Sequence, residues 1–214
     1  TGSAGPLHRR LHETLSQRGA RITSVSDTET PPGQAHVTRP APGAVASGRS
    51  KSQETLQRAM DLSDPNVVEP WLDNSLVGGA PPSFGVLLVG VTAGDKDVLA
   101  FSLEEKRRHV AHVQKAVALF AESARAVRDG GHLVVVGPPR ESGEGLLLLA
   151  ALRQTVRTFL AEQHFLPSPK KLRVSLLVAP PPGGERELER EVLGILSGSE
   201  APRIAPVPVG YVRP

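Results

Sequence analysis

Residues 131–163 run GHLVVVGPPRESGEGLLLLAALRQTVRTFLAEQ. Val134, Val135 and Val136 form a β-branched apolar run, the pattern of a strand buried on both faces of a parallel sheet. Gly137, Pro138 and Pro139 stop that strand, and Gly143 and Gly145 punctuate the loop before Leu146. Residues 146–162 are good helix formers. Residues 146–152 are apolar around most of the helix circumference, which predicts burial on several sides. In a parallel α/β sheet the crevice beyond a strand's carboxyl end is where ligands and chemistry sit. Here that crevice receives prolines, glycines and leucines in place of acids, bases and nucleophiles.

The same alternation extends outward. Residues 84–91 (FGVLLVGV) and 172–178 are buried-strand runs, and the second is stopped by Pro180, Pro181, Pro182 and Gly183. Residues 103–127 predict the longest helix, with an apolar stripe of Val110, Val113, Val117, Phe120, Ala121 and Ala124. Residues 188–196 predict a further helix behind the charge-alternating stretch at 184–191, and residues 203–209 a last extended piece. Toward the N-terminus, Leu7, Leu11 and Leu15 repeat at helical spacing before Gly19. Residues 21–25 read as a strand with Asp27 just past its end. Residues 28–52 are rich in Pro, Gly, Ser and Thr and predict a long loop. Order resumes near Leu56, and Ser63-Asp64-Pro65 reads as a cap opening a helix through Trp71 and Leu72. Strands alternating with helices predict a single α/β domain over residues 1–214, a three-layer, doubly wound parallel sheet.

Composition excludes several classes. The 214 residues are 39% hydrophobic but only 3% aromatic, so the core must be built from Leu, Val and Ala. The net charge of +3 and pI near 9.6 are spread along the chain without the basic, aromatic-interleaved stripe of a nucleic-acid binder. There is no cysteine, which removes disulfides and thiolate metal sites and fits a reducing compartment. No apolar run approaches the roughly 18 residues of a membrane span, and the N-terminus lacks a signal-peptide core. An intracellular protein, in the cytoplasm or an organelle matrix, is the expectation.

In order and spacing the chain resembles the short-chain dehydrogenase/reductase family. TGSAGPLHRRLHETLSQRGARITSV is similar to that family's TGxxxGxG turn, first helix and second strand. Asp61 in MDLSDP resembles the family's Asp near the adenine, and residues 87–94 (LLVGVTAG) its fourth strand and NNAG motif. GGHLVVV matches the fifth strand, ALRQTVRTFLAEQ the catalytic helix, and LRVSLLVAPPP the sixth strand. The resemblance implies a Rossmann-like fold, with the chain as given opening at the turn that follows the family's first strand. It implies a vestigial cofactor site at Gly2, Ser3, Asp27, Asp61, Ala93 and Gly94.

The departures fall on chemistry. The second and third glycines of the cofactor turn fall on Pro6 and His8, which lack the backbone freedom and space of glycine. Asp27 is read either as a holder of a ribose hydroxyl or as a turn former. His8 is read either as a phosphate ligand or as a surface residue, and the two asparagines of NNAG fall on Val91 and Thr92. The family's Tyr and Lys positions fall on Gly145 and Leu149. Tyr211, the one tyrosine, has three residues after it, so the sequence as given holds no Tyr-x-x-x-Lys. The expected serine falls among Pro138, Pro139 and Arg140, and Ser142 nearby reads as a loop residue. Glu141 and Glu144 are the carboxylates available to a rewired site. His109 and His112, three apart on a helix, read as a solvated face with no carboxylate to complete a metal site.

These features predict no catalytic set, no metal and no resident cofactor. The expectation is a non-catalytic domain with a structural or assembly role in a larger reductase, synthase or multi-subunit complex. It would contact a second copy or another protein through helices at about 103–128 and 145–163, the pair that the resemblance implies for a four-helix interface. The alternative is an NAD(P)-dependent oxidoreductase, similar to 3-oxoacyl reductases, with an atypical active site; a cofactor-sensing regulator stands between the two.

Overall fold

Among the described residues every strand pairing is parallel, as buried β-branched runs separated by helices require. The computed structural model describes residues 6–18, 23–27, 56–60, 81–90, 98–181, 183–198 and 204. They belong to two compact units, Thr1–Ser75 and Leu76–Pro214.

The first unit contains helix α1 (Pro6–Gln17) and strands β1 (Thr23–Asp27) and β2 (Leu56–Met60). Leu11 is buried and Leu7 and Leu15 half-buried, so the leucine repeat is the inward face of α1. β1 lies two residues later than its apolar composition predicts, and Asp27 is its last residue, in register with Met60. The loop predicted at 28–52 and the helix predicted at 63–72 lie outside the described residues.

The second unit is a three-stranded sheet in the order β3 (Phe84–Leu88), β4 (His132–Gly137), β5 (Arg173–Val178). Helices α2 (Leu103–Ala126), α3 (Gly143–Gln163) and α4 (Glu185–Ser197) connect or follow these strands, with a short 3-10 turn at Val98–Ala100. β4 is the central strand, and all six of its residues are buried. Its pleat alternates two cores. Leu133 and Val135 join Val174 and Leu176 of β5 against Ala116, Phe120 and Ala124 of α2 and Leu148, Leu149, Leu152 and Val156 of α3. Val134, Val136 and Leu177 are buried on the opposite face, where α4 lies on β4 with Leu188, Val192, Leu193 and Ile195 buried. Helices cover both faces of a parallel sheet, and Ile204 extends it by a single bridge to Leu176. No helix among the described residues is long and apolar enough to cross a membrane.

Two helix faces differ from their predicted orientation. On α2, Phe120 packs edge-to-face on Phe159 of α3, with ring centroids 5.5 Å apart. That anchor turns inward the row Val113, Ala116, Phe120, Ala124, and leaves Val110 and Ala121, predicted to be buried, exposed. On α3, Leu148, Leu149 and Leu152 are fully buried, whereas Leu147 and Ala150 are exposed. The run at 146–152 is therefore buried on its sheet face and open on the other.

β4 also begins with a buried polar pair. His132 Nε2 lies 3.0 Å from Ser175 Oγ across the β4–β5 ladder, and both residues are buried. Burial holds the His132 imidazole below its ordinary value of 6.5, and the nearby Arg173 adds to the effect. The native state thus prefers the neutral ring, while an unfolded chain takes up the proton near 6.5. This contribution to stability is complete above that value and is lost as the pH falls below it toward the lower folded value. Urea unfolding should show the wild type losing stability between pH 7.5 and 5.5, and His132→Gln losing less. Equal losses in the two proteins would show that His132 does not carry the effect.

Candidate functional site

The carboxyl edge of the sheet is formed where β4 ends and α3 begins. Ser142, expected to be a plain loop residue, is the N-cap of α3: its Oγ accepts a hydrogen bond from Gly145 N at 3.0 Å. Helix α3 consequently starts at Gly143, and the two glycines expected to lie before it form its first turn.

Position 145 is built around the absence of a side chain. A Cβ there would lie 2.4 Å from the Pro139 carbonyl oxygen and 3.0 Å from Ser142 Oγ. The backbone of the β4–α3 loop crosses directly over this residue and leaves no room for a side chain. One turn later Leu149 has no exposed surface and belongs to the main core. A Cβ on Gly137 would meet the Leu149 Cδ1 at 2.8 Å. Leu149 is thus a packing contact between α3 and the end of β4. Arg140 is half-buried or more exposed within the loop, and Glu141 is exposed.

Beside this packed surface lies a group of titratable side chains from two helices. Glu144, in the first turn of α3, points to α2, where its Oε1 is 3.5 Å from His112 Nδ1 and 3.8 Å from His109 Nδ1. The three side chains are only 12–20% exposed. His109 also sits against the Phe101 ring, with centroids 6.2 Å apart. Burial lowers the His112 pKa from its ordinary value; hydrogen bonding and attraction to Glu144 oppose the shift and Lys115 reinforces it. The expectation of a solvated histidine face without a carboxylate is overturned, because α3 starts earlier than its leucines and brings Glu144 onto α2. The sequence did carry a signal for this. Residues 109, 112, 113, 116 and 120 continue one face of α2, so the histidines extend the buried row of Ala116 and Phe120. Among the described residues no three such side chains are arranged to hold a metal ion.

Of the residues expected at a cofactor site, Asp27 ends β1 and Pro6 is the first residue of α1. A proline at a helix's first position gives up a backbone donor that lacks an intrahelical partner in any case. Gly2, Ser3, Asp61, Ala93, Gly94 and Tyr211 lie outside the described residues.

No family model and no curated protein sequence matches the chain. Solved structures do. A short-chain dehydrogenase/reductase from Serratia marcescens superposes with a TM-score of 0.64 at 16% identity, covering 95% of this chain and 90% of its own. A carbonyl reductase from Pseudomonas aeruginosa gives 0.64 at 14% identity, covering 95% and 92%. A Burkholderia multivorans structure assigned as a short-chain alcohol dehydrogenase gives 0.67 at 15%, covering 92% and 88%. At such identities the likeness establishes the fold, a Rossmann-like α/β architecture of the kind these enzymes share.

The geometry at 145 and 149 predicts that neither position accepts a larger or charged side chain. Gly145→Ala should destabilise the fold by about 1–3 kcal/mol through overpacking against Pro139. Leu149→Lys should cost several kcal/mol, of the order of 3–5, by burying an unpaired charge. Chemical denaturation of each variant measures both, and a Gly145→Ala protein as stable as the wild type would show that the loop yields freely.

Proposed function

We propose that this chain is an NAD(P)-dependent oxidoreductase, similar to 3-oxoacyl reductases, whose active site is atypical. The observation that supports it is the group of Glu144, His109 and His112 at the carboxyl edge of the parallel sheet, beside the family's tyrosine position. Titratable groups withdrawn from water are costly, and such groups gather where proton transfer is needed. A bound nicotinamide dinucleotide would supply the reducing equivalent. The chain's own part is to pass a proton between the His112 imidazole, kept in place by Glu144, and a substrate oxygen. Asp27 would take a ribose hydroxyl. The lack of cysteine supports action in a reducing compartment, the cytoplasm or an organelle matrix.

A second reading is favoured by a different observation: Gly145 has no space for a side chain and Leu149 is core. In that reading the chain is a non-catalytic domain with a structural or assembly role, needing no cofactor or only sensing it. Its contact surface would be the outer faces of α2 and α3, where Leu103, Val110 and Leu147 are exposed. A second copy or another subunit of a larger reductase or synthase would cover them.

One series of measurements separates the two. NADPH and NADH are titrated while the melting temperature is followed; saturable binding should raise it, by the equivalent of about 2.7 kcal/mol at a hundredfold excess over Kd. Reduction of a 3-oxoacyl thioester should then fall roughly a hundredfold or more in Glu144→Gln, with cofactor affinity unchanged. Absence of binding, together with a dimer or larger species by light scattering, would overturn the enzymatic reading in favour of the structural one.

A further inference from the structure

The contact between α2 and the first turn of α3 has an imbalance in its charges: two imidazoles face one carboxylate. Both His109 and His112 approach the same oxygen of Glu144. One imidazolium can be neutralised there. A second leaves a net positive charge in a contact whose side chains are 12–20% exposed, and Lys115, one turn along α2, acts on His112 with the same sign. Glu105, one turn before His109, does not restore the balance, because its Oε2 accepts the Ser102 backbone N–H at 2.8 Å as part of the α2 capping box. Phe101, against His109, adds apolar surface and no counter-charge.

The mechanical setting makes this imbalance consequential. Glu144 is the second residue of α3, and Gly145 N is tied to the Ser142 cap. Further along, α3 is fastened by Leu148, Leu149 and Leu152 in the core, whereas its first turn is joined to α2 through Glu144. We propose that His109, His112 and Glu144 form an acid-released clasp, which joins α2 to the first turn of α3 when the histidines are neutral and lets that turn go when both are protonated.

The direction follows from linkage. Release exposes the cluster to water, where a second positive charge is not confined beside one shared carboxylate, so protons favour the open form. The depressed titration of His112 in the closed form agrees with this sign. The effect is local, because the leucines of α3 hold the rest of the helix on the sheet. It goes beyond the proposed function and holds whether the edge is catalytic or structural. In the first case acid would disorder the site, and in the second it would alter the outer surface of the two helices.

Hydrogen exchange read by mass spectrometry on peptides covering residues 143–150 tests the clasp, at pH 7.5 and 5.0 with intrinsic rates corrected. The wild type should lose protection there by roughly fivefold or more at pH 5.0, an opening difference within reach of one partly buried charge contact, while β4 peptides over 133–136 stay protected. A His109→Gln/His112→Gln protein should show no such pH dependence. Glu144→Gln should open further at pH 5.0 than the wild type, because the carboxylate that both imidazoles approach is gone; near-ultraviolet circular dichroism confirms that each variant is folded. Protection independent of pH in the wild type, pH dependence that persists in the double variant, or an equal loss in β4 would each overturn the proposal.

Discussion

The second unit depends on how closely α3 can approach the strand that leads into it. Helix and strand meet across two glycines. The methyl of Leu149 occupies the space a side chain at Gly137 would need, and the Pro139 carbonyl occupies the space a side chain at Gly145 would need. Each contact lets a backbone lie where a Cβ would otherwise be, so Leu148, Leu149, Leu152 and Val156 reach full burial against Leu133 and Val135. Close packing of this kind transmits small changes instead of absorbing them. The helix start, the Ser142 cap and the direction of Glu144 all follow from it.

That constraint also links positions 145 and 149. With Gly145 under Pro139 and Leu149 against Gly137, the first turn of α3 lies too near the loop and the end of β4 to carry a larger or charged side chain at either. A lysine at 149 would place an ammonium in a core composed of Leu, Val and Phe. The early start of α3 also brings the residue next to 145 onto α2. Glu144 then finds two imidazoles already on the inward row that contains Ala116 and Phe120. The crowding at position 145 and the charge gathered beside it belong to the same first turn of α3.

Much of this was legible in the residues. The valines of β4 and the apolar runs of β3 and β5 marked buried parallel strands, because alternation is absent where both faces are covered. Helix positions followed from the intervals between those runs. Faces and ends were harder to place. The stripe predicted on α2 put Val110 and Ala121 beside Phe120 and Ala124 and left out Ala116, because periodicity alone fixes a helix face only to within a residue or so. The Phe120–Phe159 contact between helices settled the phase. The start of α3 was misplaced because glycine is a poor helix former by propensity, whereas here the Ser142 cap and the crowding at Pro139 make Gly145 the one residue that fits. Glu144 and the histidines are more than thirty residues apart in sequence, and no local pattern joins them.

A buried carboxylate between two imidazoles is an unusual thing for a purely structural helix contact to keep. Leucine or alanine at those three positions would fill the space between α2 and α3 without desolvating charge, and would match the composition of the surrounding core. The preceding capping box on α2 and the Ser142 cap on α3 already give both helices well-defined starts, so register does not require the cluster either. What an ionisable contact provides, and an apolar one cannot, is a dependence on protons at the carboxyl edge of the sheet. Proton transfer and proton sensing share that requirement. The two uses differ in whether a substrate oxygen or only solvent exchanges the proton, and therefore in whether position 144 matters more to turnover or to the order of the first turn of α3.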